Sequence, residues 1–207
     1  MSEPTTEAQE QRRVVIAEDE ALIRLDLSEM LKELGYDVVG QASDGEQALS
    51  VLAEKRPDLA ILDVRMPKLD GISVAQQVAE QRICPVIILT AVKERDQVER
   101  ATEAGAMAYL LKPFDKEKLL PAIEIAVSRY DEMRALEEEV KTLSEQIETR
   151  KLVERAKGIL QQKLSVTEPE AFRWIQKTAM DKRVQMRQVA QLLIDEAETL
   201  GSGSAEV

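Results

Sequence analysis

The chain has no histidine at all. That excludes imidazole metal ligands, serine–histidine–aspartate and cysteine–histidine nucleophile systems, and any role as a phosphohistidine carrier. Chemistry in this chain has to rest on carboxylates, hydroxyls, lysine or a bound ion. The single cysteine, Cys84, cannot close an intramolecular disulfide and, at the start of an apolar run, reads as an inert buried thiol. No apolar run approaches the ~18 residues needed to cross a bilayer, and Met1 to Arg13 lacks the apolar centre of a signal peptide. A cytoplasmic protein with no membrane association is expected.

What is present is a 207-residue chain with 44% hydrophobic and 32% charged residues, enough for one good core plus a smaller module. The net charge of −11 is unevenly spread. Residues 1–150 carry 19 basic and 31 acidic side chains, whereas residues 151–195 carry nine and five. An acidic body with a mildly basic end points to two modules with different partners.

Polar residues 1–11 are expected to form a disordered tail, and 199–207 a flexible one. Between them, short apolar runs at Val14–Ala17, Asp37–Gln41, Leu59–Leu62, Val86–Leu89 and Ala108–Leu111 alternate with helical spacing over about 20–34, 45–55, 72–81 and 95–104. Strands that are apolar throughout, separated by helices, predict a parallel sheet covered on both faces. Five such units predict an α/β fold, a doubly wound five-stranded sheet of the flavodoxin-like type.

In such sheets ligands sit beyond the carboxyl ends of the central strands. The first strand ends in Glu18 and Asp19, the third in Asp63, the fourth in Thr90, and the fifth leads into Lys112 and Pro113. The stretch "LAILDVRMPKLDG" runs an apolar strand straight into the Asp63 carboxylate and then bars its continuation with Met66–Pro67 and Asp70–Gly71. Alone, a strand-end acid is ordinarily a cap or loop residue. Five polar side chains on one rim are a different matter. Three carboxylates in one hollow repel one another unless a hard cation lies between them, and Mg2+ takes oxygen ligands from one or two carboxylates plus a phosphate. Lys112 supplies a compact charge for a phosphoryl oxygen, and Thr90 a hydroxyl. The set is suited to a phosphoryl group carried on Asp63.

Together with "ASDGEQAL", Thr90–Ala91 and "AYLLKPF", these residues resemble a two-component receiver domain over about 12–125. The resemblance implies that Asp63 is the phosphoacceptor, that Asp19, Asp63 and the Arg65 carbonyl ligate Mg2+, and that Glu18 holds a metal-bound water. It also implies that Lys112 contacts the phosphoryl group, that Thr90 and Tyr109 form a switch pair, and that the Lys112–Pro113 bond is cis. A sensor histidine kinase would supply the histidine this chain lacks. The chain itself would not be an enzyme beyond handling its own phosphate.

From Lys116 to past Arg150 the pattern is one helix, with Pro121 read as falling in its first turn. Residues 126–150 form a linker in which Met133, Leu136, Val140, Leu143 and Ile147 repeat at alternating spacings of three and four, a coiled-coil seam barely two heptads long. It can pair with a second chain, as a switchable homodimer requires, or pack back onto its own chain. Residues 151–198 read as three short helices, the second opened by a Thr167 to Glu170 capping box. Such a bundle has a tiny core and no convergent acids, so it reads as a binding module. Physics alone leaves DNA and RNA open.

The segment "LVERAKGILQQKLSVTEPEAFRWIQKTAM", followed by "VAQLLI", resembles an ANTAR domain, an RNA-binding antiterminator module. The resemblance implies a phosphorylation-activated regulator that binds RNA hairpins in nascent transcripts. Arg155, Lys157, Lys163, Arg173, Lys177, Lys182, Arg183 and Arg187 are the exposed candidates for RNA contact, with simple solvation as the alternative. Gly158 inside a helix implies close approach by another backbone or by RNA. Trp174 is expected in the core rather than as a stacking platform for bases, since one tryptophan in a short module leaves little scope for a stacking surface. A DNA-binding output, a pure interaction module, and an aspartyl phosphatase are the competing readings. The phosphatase would want a second acid two residues after Asp63, where Arg65 stands.

Overall fold

The computed structural model describes residues 11–91 and 100–202, with side chains to 198. The tail at 1–11 and residues 203–207 thus lie almost wholly outside the described residues. So does the first half of the helix expected over 95–104, of which 100–103 are helical. The chain divides into two compact units at Arg134/Ala135.

The first unit contains five strands, β1 (Arg13–Ala17), β2 (Asp37–Ala42), β3 (Leu59–Asp63), β4 (Val86–Thr90) and β5 (Ala108–Leu111). Helices α1 (Ala21–Glu33), α2 (Gly45–Lys55) and α3 (Gly71–Glu80) connect the first four strands, and the helical residues 100–103 precede β5. All pairings are parallel, in the order β2-β1-β3-β4-β5, the flavodoxin-like arrangement. Alternation along the strands explains their unbroken apolar character. Val15, Ala17, Ala60, Leu62 and Ile88 face one core with α2 and α3. Val14, Ile16, Leu59, Ile61 and Ile87 face a second core on the other side of the sheet. Each buried Leu or Ile contributes about 1.5–3 kcal/mol.

The starts of α2 and α3 are fixed by aspartates. Asp44 accepts from Gln47 N–H at 2.9 Å to cap α2, and Asp70 accepts from the Ile72 and Ser73 N–H groups at 3.0 and 3.1 Å to cap α3. Gly71 is required by close approach: a Cβ there would lie 1.9 Å from the Asp63 carbonyl oxygen.

A 49-residue helix, α4 (Lys116–Leu164), runs on into the second unit. The first of the three short helices expected after residue 150 is therefore the end of α4, not a separate element. The physical reason is plain: no Gly or Pro interrupts residues 122–157, and Gly158 alone costs only about 1 kcal/mol. Pro121 falls on the exposed side of the second turn, later than expected, and does not break the helix. Two more helices follow, α5 (Glu168–Lys182) and α6 (Met186–Ser202), the last extending past the expected end at 198. The bundle core is Val153, Ala156 and Leu160 of α4, Ala171, Ile175 and Ala179 of α5, and Val189, Ala190 and Ile194 of α6. Thr167 donates its N–H and Oγ1–H to Glu170 Oε2 at 2.8 and 2.7 Å, as the capping signature predicts.

Gly158 has no atom within 4 Å of the place its Cβ would take, so no backbone of the described chain approaches it. The two glycines therefore make opposite predictions. Gly71→Ala should cost about 2 kcal/mol or more by displacing the Asp63 backbone. Gly158→Ala should add about 0.5–1 kcal/mol through helix propensity alone. Urea unfolding followed by circular dichroism measures both, and a destabilised Gly158→Ala chain would contradict the open environment described here.

Candidate functional site

Register assembles the site. Ala17 pairs with Leu62, so the next residues, Glu18 and Asp63, emerge at the same level of the rim. Asp63 pairs with Leu89 and Thr90 with Leu111, which places Thr90 and Lys112 just above. The peptide N–H of Lys112 donates to the Thr90 carbonyl at 2.8 Å, carrying the ladder into this loop, and the Lys112–Pro113 bond is cis.

The Lys112 Nζ lies 2.6 Å from Glu18 Oε2 and 2.6 Å from Asp63 Oδ1. Glu18 is fully buried, and Asp63 and Thr90 nearly so. Burial pushes the Glu18 carboxyl above its usual range; the Lys112 contact opposes that, and the Asp63 charge adds to it. For Lys112 the balance is reversed. Burial pulls it down, but the contacts with Asp63 and Glu18 outweigh it and hold the ammonium above its ordinary value. Glu18 Oε2 is close to the ammonium yet not aligned for a hydrogen bond, so this buried oxygen has a charge contact alone.

Glu18, Asp19 and Asp63 each bring one carboxylate oxygen within 4.8 Å of the others. An all-oxygen donor set of this size fits a hard divalent cation of the Mg2+ type, and Asp19 is its exposed member. Asp63 Oδ2 accepts from the Arg65 N–H at 2.8 Å, which turns the Asp63 carboxylate toward its own loop. Beside Asp19 lies an open cleft lined by Arg65, Met66, Pro67, Asp70 and Arg100. Although partial burial pulls the other way, bonds from Ser73 and Ile72 and the Arg100 charge hold the Asp70 carboxyl below its usual range. Burial pushes the Cys84 thiol up to about 12, leaving it without thiolate character at neutral pH.

The structure thus brings together Glu18, Asp19, Asp63, Thr90 and Lys112. Arg65 meets the cluster through its backbone. Tyr109 stands apart, half exposed on β5 opposite Ile88. Sequence reasoning missed Arg24, whose Nη1–H donates to the Glu18 carbonyl at 2.5 Å and is 3.5 Å from that of Asp19. The signal was an arginine one turn into the helix that follows the acid pair. Its guanidinium holds the loop that carries both acids.

In the second unit the eight basic candidates separate. Lys157 is a correction: it is buried, not exposed, with its ammonium 2.9 Å from Glu154 and 2.6 Å from Glu168, which ties α4 to the start of α5. Arg155 pairs with Glu198 at 2.6 Å and Arg187 with Glu148 at 3.2 Å, both on the surface. Lys163, Arg173, Lys177, Lys182 and Arg183 are exposed and form no ion pair among the described residues. Trp174 is also a correction: it is 43% exposed rather than part of the core.

Comparison with known proteins agrees with this division. Residues 14–124 match the response regulator receiver domain, and residues 141–194 match the ANTAR domain. The chain is 58% identical over 204 residues to the transcriptional regulatory protein PdtaR of Mycobacterium tuberculosis, covering 98% of each chain. Among solved structures, the receiver domain of the response regulator NarL from M. tuberculosis superposes with a TM-score of 0.55 at 32% identity, covering 57% of this chain and 97% of that one. The CheX–CheY–BeF3–Mg2+ complex from Borrelia burgdorferi gives a TM-score of 0.52 at 26% identity, over 54% of this chain and 86% of that one. Two matched domains and a full-length relative lead to one conclusion: the chain belongs to the response regulators, as a receiver domain joined to an ANTAR domain.

Proposed function

We propose that the chain is a phosphorylation-activated transcription antiterminator of the cytoplasm that takes phosphate on Asp63 from a sensor histidine kinase and binds hairpin RNA through its C-terminal bundle. The observation that carries the first half is Lys112 Nζ at 2.6 Å from both Glu18 and Asp63, with Asp19 completing the acid cluster. The ANTAR match over residues 141–194 supports the second half.

In the transfer, an Asp63 carboxylate oxygen attacks phosphorus, the bond to the kinase imidazole breaks, and the imidazole leaves. Asp19, Asp63 and the Arg65 carbonyl would hold Mg2+, with Glu18 on a metal-bound water. The ion supplies positive charge that offsets the added phosphoryl oxygens. Lys112 already touches Asp63, so its ammonium follows the charge onto a phosphoryl oxygen and gives up part of its contact with Glu18. Thr90, buried at the same rim, turns its hydroxyl to another oxygen, and Tyr109 on the adjoining strand exchanges its half-exposed position for the space that opens. The similar Borrelia burgdorferi complex of CheX and CheY with BeF3 and Mg2+ is consistent with this site chemistry.

The output follows from α4. Leu136, Val140, Leu143 and Ile147 are 51–66% exposed, an apolar stripe at heptad spacing that their own chain leaves uncovered. Phosphorylation would favour pairing of this stripe between two copies, which presents two bundles to one transcript. Joined sites gain affinity through effective concentration without any new contact.

Three measurements check these steps. Acetyl phosphate should label the chain in Mg2+, and both chelation and Asp63→Asn should abolish the label; label persisting on the variant would displace Asp63 as acceptor. In sedimentation, the phosphorylated chain should show twice the mass of the untreated one, and Leu143→Glu should keep it monomeric. An unchanged monomer in the parent would remove the pairing step. At matched salt, hairpin RNA should be retained in preference to duplex DNA, whereas preference for duplex DNA would transfer the output reading to DNA.

A further inference from the structure

The bundle closes its core without its largest side chain. Ala171, Ile175 and Ala179 are the buried positions of α5, and Trp174 is neither in that core nor among the apolar residues packed against it. On a helix, residues three and four apart are neighbours, so Lys177 lies beside Trp174, and Arg173 one turn from Lys177. Lys177 and Arg173 make no ion pair among the described residues, and the Arg173 charge reaches Glu170. The acids of α5 are largely engaged elsewhere: Glu168 with Lys157, and Glu170 with the Thr167 cap. Asp181 is the remaining one, against Arg173, Lys177, Lys182 and the capping Arg183.

We infer that Trp174 is a stacking platform for an unpaired RNA base, with Lys177 and, one turn back from it, Arg173 holding phosphates along one side of the indole. This rests on the RNA-binding reading and deepens it. An indole face takes any base, because every base presents a π-face of its own. In a duplex those faces are covered by neighbouring pairs, so the ligand is a loop or a single strand rather than a paired stem. The cationic flank is what separates this site from a protein-docking patch: an exposed aromatic beside cations that form no ion pair among the described residues matches a base next to its phosphates. Arg155, Lys157 and Arg187, committed to Glu198, Glu154 with Glu168, and Glu148, serve the bundle's own packing and lie outside this site.

The test uses the full-length chain, treated with acetyl phosphate and Mg2+ and also untreated, at low salt. The probe is a synthetic hairpin RNA pool with a randomised loop, compared with a fully paired RNA duplex of equal length. The chain has one tryptophan, so its intrinsic emission reports position 174 alone. Saturating hairpin should quench that emission, and the duplex should leave it unchanged. Trp174→Leu should raise the hairpin Kd about 5- to 150-fold, the affinity equivalent of one stacked base, with far-ultraviolet circular dichroism and acetyl phosphate labelling unchanged. Trp174→Phe should recover most of the affinity. Hairpin binding with unaltered emission and an unaffected Trp174→Leu variant would overturn the stacking site while leaving the RNA reading intact. Equal quenching by duplex would overturn the unpaired-base assignment. Failure of the parent chain to bind either RNA in both states would overturn the RNA reading itself and this inference with it.

Discussion

One ammonium group is shared by two buried carboxylates, and the loops of the receiver rim are arranged around that fact. Lys112 comes from the end of β5, Glu18 from β1 and Asp63 from β3, so the contacts at 2.6 Å link three strand ends across the sheet. Isolated ions in such surroundings are costly, and removing one partner leaves the others uncompensated. Three carboxylates and one ammonium leave a formal excess of two negative charges at the rim. A divalent cation would balance that excess, and in the proposed function a phosphoryl group on Asp63 would then redistribute it. On the same reading, a shift of Lys112 between the Glu18 and Asp63 carboxylates and a phosphoryl oxygen would be the local charge change that drives the switch.

The second constraint is continuity. Leu119, Ile123, Ala126 and Tyr130 of α4 are buried with the receiver, and Val153, Ala156 and Leu160 of the same helix are buried in the output bundle. Between them runs the exposed stripe from Leu136 to Ile147. Neither core makes use of it, and no glycine or proline interrupts the helix between residues 122 and 157. A short seam of this kind gives weak pairing, which suits a dimer that forms only in one state.

Much of this was legible in the sequence because it follows from burial. Strands covered on both faces must be apolar at every position, and Leu59 to Leu62 and Val86 to Leu89 can hardly be read otherwise. Parallel order then dictates that their carboxyl ends share a rim, which brings Glu18, Asp19, Asp63 and Lys112 together from distant positions. The output domain was harder to read because its helices are amphipathic over short spans. Hydrophobicity and helical spacing point Trp174 to the core, but the small residues Ala156, Ala171, Ala179 and Ala190 with a few aliphatic side chains make up that core, and the indole stays 43% exposed. Lys157 was read as solvent-facing from its charge, yet Glu154 and Glu168 neutralise it at the α4–α5 junction, a pairing that depends on how α5 folds back. Arg24 is harder to assign for a related reason: the sequence shows an arginine one turn into α1, but not that it reaches the backbone carbonyls of Glu18 and Asp19.

The most direct test of the account is a crystal structure of the chain with Mg2+ and beryllofluoride, a stable mimic of the phosphoryl group. It should place the metal about 2.1 Å from oxygens of Asp19 and Asp63, the fluoride on Asp63, and the Lys112 ammonium moved from Glu18 onto a fluorine. A metal bound elsewhere, or a Lys112 still bridging Glu18 and Asp63 with the fluoride absent, would contradict it.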